Sequence, residues 1–236
     1  MPTAHRSTAS ELLRYMAVHP MFQGLSEADL GLIVDQGSSL MRLPRGQALF
    51  SSGETCEHLM IIITGQVKVF ALASHGGEKV LELIGPGQTI GESSIFNDQP
   101  QAFNAQTLTE ALLLRIPKRA ITAQIKRDPG FALRLLADAS QRIRGLQHDV
   151  ESYCLRSGLQ RVVGFLLEDQ RHSPERRAPH TVSLPVSKAT IASRLSLTPE
   201  YFSRVLRELE DEGLIQISRR DIHILQPEEL ASYTLQ

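Results

Sequence analysis

The spacing of apolar residues changes character along the chain, and each change marks a boundary. At the start, residues 11–18 and 27–34 carry apolar side chains at helical spacing. Ser26 precedes the second stretch, Asp29 sits in its first turn, and Leu30, Ile33 and Val34 share a face, which predicts a short capped helix. From about Ser38 the helical period gives way to short β-rich runs at residues 59–64, 66–72, 78–84 and 111–116. Gly46, Gly53, Gly65, Gly76, Gly77, Gly85, Gly87 and Gly91 fall between or beside them. Short strands with turn signals at close intervals predict a compact β-sandwich or barrel, with residues 74–77 (Ser-His-Gly-Gly) as a hairpin tip.

After Pro129 the helical period returns and persists. Ala132, Leu136, Ala139, Ile143, Leu146, Val150 and Tyr153 recur at alternating steps of four and three, with Arg134, Asp138, Arg142, Arg144, His148 and Asp149 off the line. A narrow seam of this kind is what a helix needs to pair with a second copy of itself, although a helix packed on its own domain also carries an apolar stripe. Phe131 and Leu135 supply a second face able to hold the helix to the β domain. Gly145 weakens the helix by about 1 kcal/mol without breaking the pattern. Residues 159–167 predict a further helix, and the polar, proline-punctuated residues 171–180 a loop.

Two short helices follow. Ser187 is an N-cap for one carrying Ile191, Ala192 and Leu195. After Ser196-Leu197, Thr198-Pro199-Glu200 opens another with a capping threonine, a proline in the first helical position and an acid in the first turn. In the second helix Phe202, Val205, Leu206 and Leu209 define a buried face, and Glu200, Ser203, Arg204 and Arg207 the opposite one. So short a connection forces a steep crossing that presents the polar N-terminal end outward, as a DNA recognition helix does. Arg204 has the fork for guanine O6 and N7, Glu200 accepts from cytosine N4, and Ser203 suits either edge. Thr198, Ser187, Lys188 and Arg207 are placed for phosphates. Residues 214–218 and 221–225 alternate around Arg219-Arg220, a β-hairpin wing with a basic tip. The competing readings are an ordinary surface ion pair between Glu200 and Arg204, which are i, i+4 neighbours, and a winged helix that binds protein.

Composition limits the rest. At 236 residues two domains are expected, and the 42% hydrophobic and 22% charged fractions are those of a soluble globular protein. The net charge of -1 conceals a local excess of Lys188, Arg194, Arg204 and Arg207 over the lone Glu200. Cys56 and Cys154, the two cysteines, are too few for a disulfide framework and suit a reducing cytoplasm. No apolar run approaches a membrane span, and the N-terminus lacks the apolar centre of a secretory signal, so a cytoplasmic protein is expected. No catalytic constellation is visible, and no metal-ligand set can be named.

These features resemble the CRP/FNR superfamily of bacterial transcription regulators over nearly the whole chain, from about Phe22 to Leu225. The stretches G-E-T-C-E-H-L-M-I-I-I-T-G (53–65) and P-G-Q-T-I-G-E (86–92) look like the family's β-roll framework. P-E-Y-F-S-R (199–204) looks like the recognition helix of its FNR-type branch. The resemblance implies an α+β chain: a cyclic-nucleotide-binding-like β-roll, or jelly roll, over 1–128, a dimerisation helix over 129–157, and a winged helix-turn-helix over 158–236. It implies a homodimer on double-stranded DNA at a palindromic TTGAT-like site, with half-sites on the order of 34 Å apart. Its further partners are RNA polymerase and a small-molecule or gas effector, with no membrane. The seam Leu136, Ala139, Ile143, Leu146, Val150 and Tyr153 forms the dimer interface, and the effector shifts the population of helix-pair states. The effector pocket maps to Gly91, Glu92, Ser93, Ala102 and Phe103. In the cyclic-AMP branch an Arg-Ser pair holds the cyclic phosphate. Ala102 and Phe103 stand there here, so cAMP loses its counter-charge. An iron–sulfur cluster of the FNR kind needs four thiolates and is not expected. What remains resembles the branch without cluster cysteines, especially DNR-type nitric-oxide regulators, and implies haem, with His19, His58, His75 and His148 as open choices of axial ligand. The alternatives are a regulator responding to another small molecule or a redox signal, and a cyclic-nucleotide-binding module acting without DNA.

Overall fold

Capping side chains fix where the first helices begin. Thr8 accepts from the Glu11 N–H at the start of α1 (Ala9–Val18). Ser26 and Asp29 form a reciprocal capping box at the start of α2 (Glu27–Asp35), and a 3-10 turn, Pro20–Phe22, links the two helices. The computed structural model describes residues 8–73, 76–168 and 179–233, in two compact units, Met1–Arg144 and Gly145–Gln236, each treated by itself. His75, half of the expected hairpin tip and most of the expected 171–180 loop lie outside the described residues.

In the first unit, β1 (Ser39–Leu43), β2 (Ala48–Phe50), β3 (His58–Thr64), β4 (Val67–Leu72), β5 (Glu78–Ile84) and β6 (Thr89–Ile90) precede a short helix, α3 (Glu92–Asn97). Then come β7 (Asn104–Thr107), β8 (Ala111–Pro117) and α4 (Lys118–Arg127). The strands make two antiparallel sheets, in the orders β1-β8-β3-β6 and β2-β7-β4-β5. β3 shows why its run reads as continuously apolar. Leu59 and Ile61 point into a core shared with α1, α2 and α4, while Met60 and Ile62 point into the core between the sheets. Side chains alternate along a strand, so only a strand covered on both faces needs every position apolar. β8 repeats the arrangement, with Leu114 and Ile116 on the helical side and Ala111 and Leu113 between the sheets.

α5 (Pro129–Leu155) begins where the Asp128 carboxylate accepts from the Gly130 N–H at 2.9 Å. Its Phe131 and Leu135 are buried in the helical core, and the Phe131 ring stacks on Phe22 at 6.0 Å. Burying each stabilises the attachment by about 1.5–3 kcal/mol. The expected second face is therefore real.

The second unit holds the end of α5 and then α6 (Gly158–Glu168), β9 (His180–Ser183), α7 (Lys188–Arg194) and α8 (Pro199–Asp211). β10 (Ile215–Ser218), β11 (Asp221–Ile224) and α9 (Pro227–Ser232) complete it. The hairpin β10-β11 is joined by β9 into a three-stranded sheet. His180, read from the sequence as the end of a loop, is the first residue of that third strand. Its backbone pairs with Ile224, which gives the wing's inner strand a partner on both sides. With β-roll, long helix and winged helix-turn-helix in this order, the fold is the α+β architecture that the sequence implied.

Candidate functional site

Between α7 and α8 the chain turns in four residues, Leu195 to Thr198, and its hydrogen bonds show how. Leu197 N–H reaches back to Ala192 O at 2.9 Å and Ser196 N–H to Ser193 O at 3.1 Å. This pairing ends a helix when one residue takes a left-handed conformation. That residue is Ser196, at φ +56°. The remaining carbonyls of this end are satisfied by side chains. Tyr153 Oη donates to Arg194 O at 2.5 Å, and Arg161 Nη1 donates to Leu195 O at 2.9 Å. The Arg194 guanidinium itself bonds Asp149 and the Tyr153 hydroxyl. Burial, with the Asp149 charge adding to it, raises the Tyr153 pKa against the opposing effect of Arg194. A bolt of Asp149, Tyr153, Arg161 and Arg194 thus holds the turn that aims α8. Sequence reading missed it, because Arg194 lies 41 and 45 residues from Tyr153 and Asp149 and no periodicity links it to them.

α8 starts as expected, with Thr198 Oγ1 accepting from Tyr201 N–H at 3.2 Å and Pro199 in the first turn. Phe202, Val205, Leu206 and Leu209 are buried. On the far side Pro199, Glu200, Ser203, Arg204 and Arg207 line one solvent-open depression. Glu200, Arg204 and Arg207 are exposed and Ser203 is half-buried. The Glu200–Arg204 ion pair of the competing reading is not formed among the described residues. The Arg204 guanidinium lies over the Tyr201 ring instead, 4.9 Å from its centroid. Ser187 caps α7 by accepting from Thr190 N–H at 3.2 Å, and Lys188 follows it, half-buried. Arg219 and Arg220 form the exposed wing turn, with Arg219 at φ +56° and Arg220 O accepting from Leu184 N–H at 2.8 Å.

Along α5, Leu136, Ile143 and Val150 are 62%, 56% and 61% exposed, and Leu146 and Ala139 are exposed as well. Tyr153 differs. It is half-buried, with its hydroxyl tied inside the chain to Arg194, so the open apolar stripe ends at Val150.

In the first unit Gly91 precedes α3 at φ +106°, where a Cβ would sit 2.6 Å from His58 O, so only glycine fits. Glu92 accepts from Arg142 Nη1 at 3.1 Å. Arg142, on α5, also forks onto Glu82 at 2.6 and 2.9 Å and donates to Thr89 O at 3.3 Å. Asp138 accepts from the Thr89 hydroxyl at 2.9 Å. Ser93 Oγ stands 3.5 Å from Gln101 Oε1, which brings the Gly91–Ser93 corner beside the segment carrying Ala102 and Phe103. Ala102 is exposed, Phe103 is 44% exposed, and the Ala102 carbonyl accepts from Ser52 Oγ at 3.1 Å. The cation nearest Glu92 is therefore already held by two carboxylates. Neither Glu82 nor Arg142 carried a sequence signal for this role, since both look like ordinary solvated positions of an amphipathic strand and helix.

Residues 40–128 match the cyclic nucleotide-binding domain family, and residues 160–233 match the Crp-like helix-turn-helix domain. The CRP-like cAMP-activated global transcriptional regulator of Mycobacterium tuberculosis is 27% identical over 212 residues, 89% of this chain and 94% of that protein. The nitrogen fixation regulation protein FixK of Azorhizobium caulinodans is 28% identical over 180 residues, 75% of this chain and 71% of that one. The solved structure of FixK2 from Bradyrhizobium japonicum shares the fold, with a TM-score of 0.72 at 22% identity over 82% of this chain and 95% of that one. A cyclic nucleotide-binding β-roll followed by a Crp-like helix-turn-helix, in relatives matched along most of their length, places the chain in the CRP/FNR family of transcriptional regulators.

Proposed function

We propose that the chain is a homodimeric, sequence-specific DNA-binding regulator in which Glu200, Ser203 and Arg204 read base edges in the major groove. The observation that carries this reading is the open depression on α8, where an acid, a hydroxyl and two guanidiniums converge without consuming one another. Thr198, Ser187, Lys188, Arg207, Arg219 and Arg220 stand around it as phosphate contacts. Two copies related by the exposed seam of α5 then face two TTGAT-like half-sites, and RNA polymerase is the partner such a regulator serves. In a band-shift assay Arg204→Ala abolishes discrimination of the guanine in each half-site, a loss of about 1–3 kcal/mol, while the dimer persists. Unchanged sequence preference in that variant rejects the assignment.

The effector in this reading is not a cyclic nucleotide. Arg142 is already engaged by Glu82 and Glu92, and the positions that would grip a cyclic phosphate hold Ala102 and Phe103. Calorimetry with cAMP is expected to show no micromolar binding. Haem, with nitric oxide as the signal, is not favoured by His19, His58 or His148, three of the four residues named for it, and the fourth, His75, lies outside the described residues. Both nitrogens of His19 are occupied, by Gly87 O at 3.0 Å and Met21 N–H at 3.2 Å. The Arg115 guanidinium stands 3.2 and 3.3 Å from the two nitrogens of His58. His148 pairs with Glu151 at 3.5 Å. Another small molecule acting on the contact between α5 and the β-roll fits these residues better.

A further inference from the structure

We infer that Tyr201 is a positioning residue for base recognition: its ring, seated on Gly158, is the platform that holds the Arg204 guanidinium over the recognition face of α8. The inference rests on the assignment of Arg204 given above.

Three observations carry it. Tyr201 and Arg204 are three residues apart on α8, so their side chains share a side of the helix. The guanidinium lies over the ring, 4.9 Å from its centroid, and pairs neither with Glu200 nor with another carboxylate among the described residues. A guanidinium held by a π face keeps its N–H donors available to a further partner. One held by a carboxylate would have its fork consumed. The ring itself is fixed. A Cβ on Gly158 would come within 2.6 Å of Cε1 and 2.9 Å of both Cζ and the hydroxyl, so the missing side chain at the start of α6 is the space the ring occupies. Nothing larger than glycine leaves the ring where it is.

Arg204 has many rotamers, and a bidentate bond to guanine uses few of them. A platform that limits the search before DNA arrives raises discrimination of the correct base and leaves phosphate contacts unchanged. That difference separates positioning from mere structural support, which would weaken matched and mismatched sites alike.

The test compares the full-length wild-type protein with Tyr201→Phe, Tyr201→Leu, Gly158→Ala, Arg204→Ala and the Tyr201→Leu/Arg204→Ala double variant. Affinity is measured by fluorescence anisotropy on a TTGAT palindrome and on the same duplex with the guanines replaced, across a salt series. The expected results are that Tyr201→Leu lowers the matched-to-mismatched ratio about fivefold with an unchanged salt slope, and that Tyr201→Phe, which keeps the π face, retains it. Gly158→Ala, which pushes the ring away, lowers the ratio as Tyr201→Leu does. The double variant is no worse than Arg204→Ala alone, because the platform acts only through the arginine. If Tyr201→Leu is not folded by circular dichroism, Gly158→Ala against Tyr201→Phe decides. An unchanged ratio in Tyr201→Leu and Gly158→Ala, or additive losses in the double variant, overturns the inference while leaving the role of Arg204 intact. An unchanged ratio in Arg204→Ala overturns both.

Discussion

Ser196 occupies a backbone conformation that L-amino acids adopt at a cost, yet the turn between α7 and α8 requires it. Replacing it with glycine removes the steric cost and adds some unfolded-state freedom. The net expectation is a gain of about 0.5–1 kcal/mol, read as a higher urea midpoint with an unchanged slope. A lower midpoint would show that the hydroxyl, not the backbone, matters there. His58 is the second residue whose surroundings set a measurable property. Burial first, then the charges of Arg115 and Arg119, hold its pKa below the usual imidazole range. Well above the usual imidazole range, by about pH 7.5, the ring is neutral in both folded and unfolded chains and contributes no pH dependence. Below that value the unfolded chain takes up a proton that the folded one resists, so stability falls as pH falls. Denaturant midpoints between pH 5 and 7.5 therefore decline toward the acid side, and His58→Gln flattens the curve. Equal slopes in the two proteins would remove His58 from the account. At this scale much was legible: the caps Ser26, Ser187 and Thr198 and the buried face of α8 were each written locally. Tyr201 was not, because its significance lies in Gly158, more than forty positions earlier, and in an arginine whose choice of ring over carboxylate no spacing rule decides.

Elements show the same division between local and distant information. α5 has two faces with opposite demands, and both were readable from its period. Phe131 is fully buried, so Phe131→Ala costs the first unit about 3–5 kcal/mol, whereas Ile143, at 56% exposure, can be changed almost freely in a monomer. Ile143→Glu is expected to leave the melting temperature of dilute protein nearly unchanged and to shift sedimentation from dimer to monomer. A dimer that survives the charge would move the interface elsewhere. The longer strands β3, β4, β5 and β8 were visible because both faces, or one deep face, demand apolar residues. β1, β2, β6, β7 and β9 were not recognised. β6 has two residues, β7 reads N-A-Q-T and β9 reads H-T-V-S. Such segments are strands because neighbours supply their hydrogen bonds, and their own sequences argue little for it. α3 was hidden for another reason: Gly91 offers no capping side chain, so the helix begins without a written signal.

For the whole molecule, the net charge of -1 says little about DNA, since what counts is where the basic groups gather. With Arg219 and Arg220 at the wing tip, Arg219→Ala is expected to reduce the steepness of log affinity against log salt by about 2 for the dimer, one phosphate per subunit, without altering base preference. A changed preference with an unchanged slope would move Arg219 from the backbone to the bases. The effector was not legible as an identity, because the groups that bear on it in the proposed reading, Glu82, Glu92 and Arg142, lie far apart in the sequence and only the folded chain joins them. The exposed stripe of α5 has one more consequence. Its residues are separate from those of α8, so in the proposed dimer a copy with a ruined reading head is expected to pair normally. Expressed beside the intact protein, the Arg204→Ala chain should draw intact copies into mixed pairs that hold only half a palindrome. In genetic terms such an allele is dominant, silencing its neighbour by subunit poisoning, whereas an Ile143→Glu allele, unable to pair, is recessive.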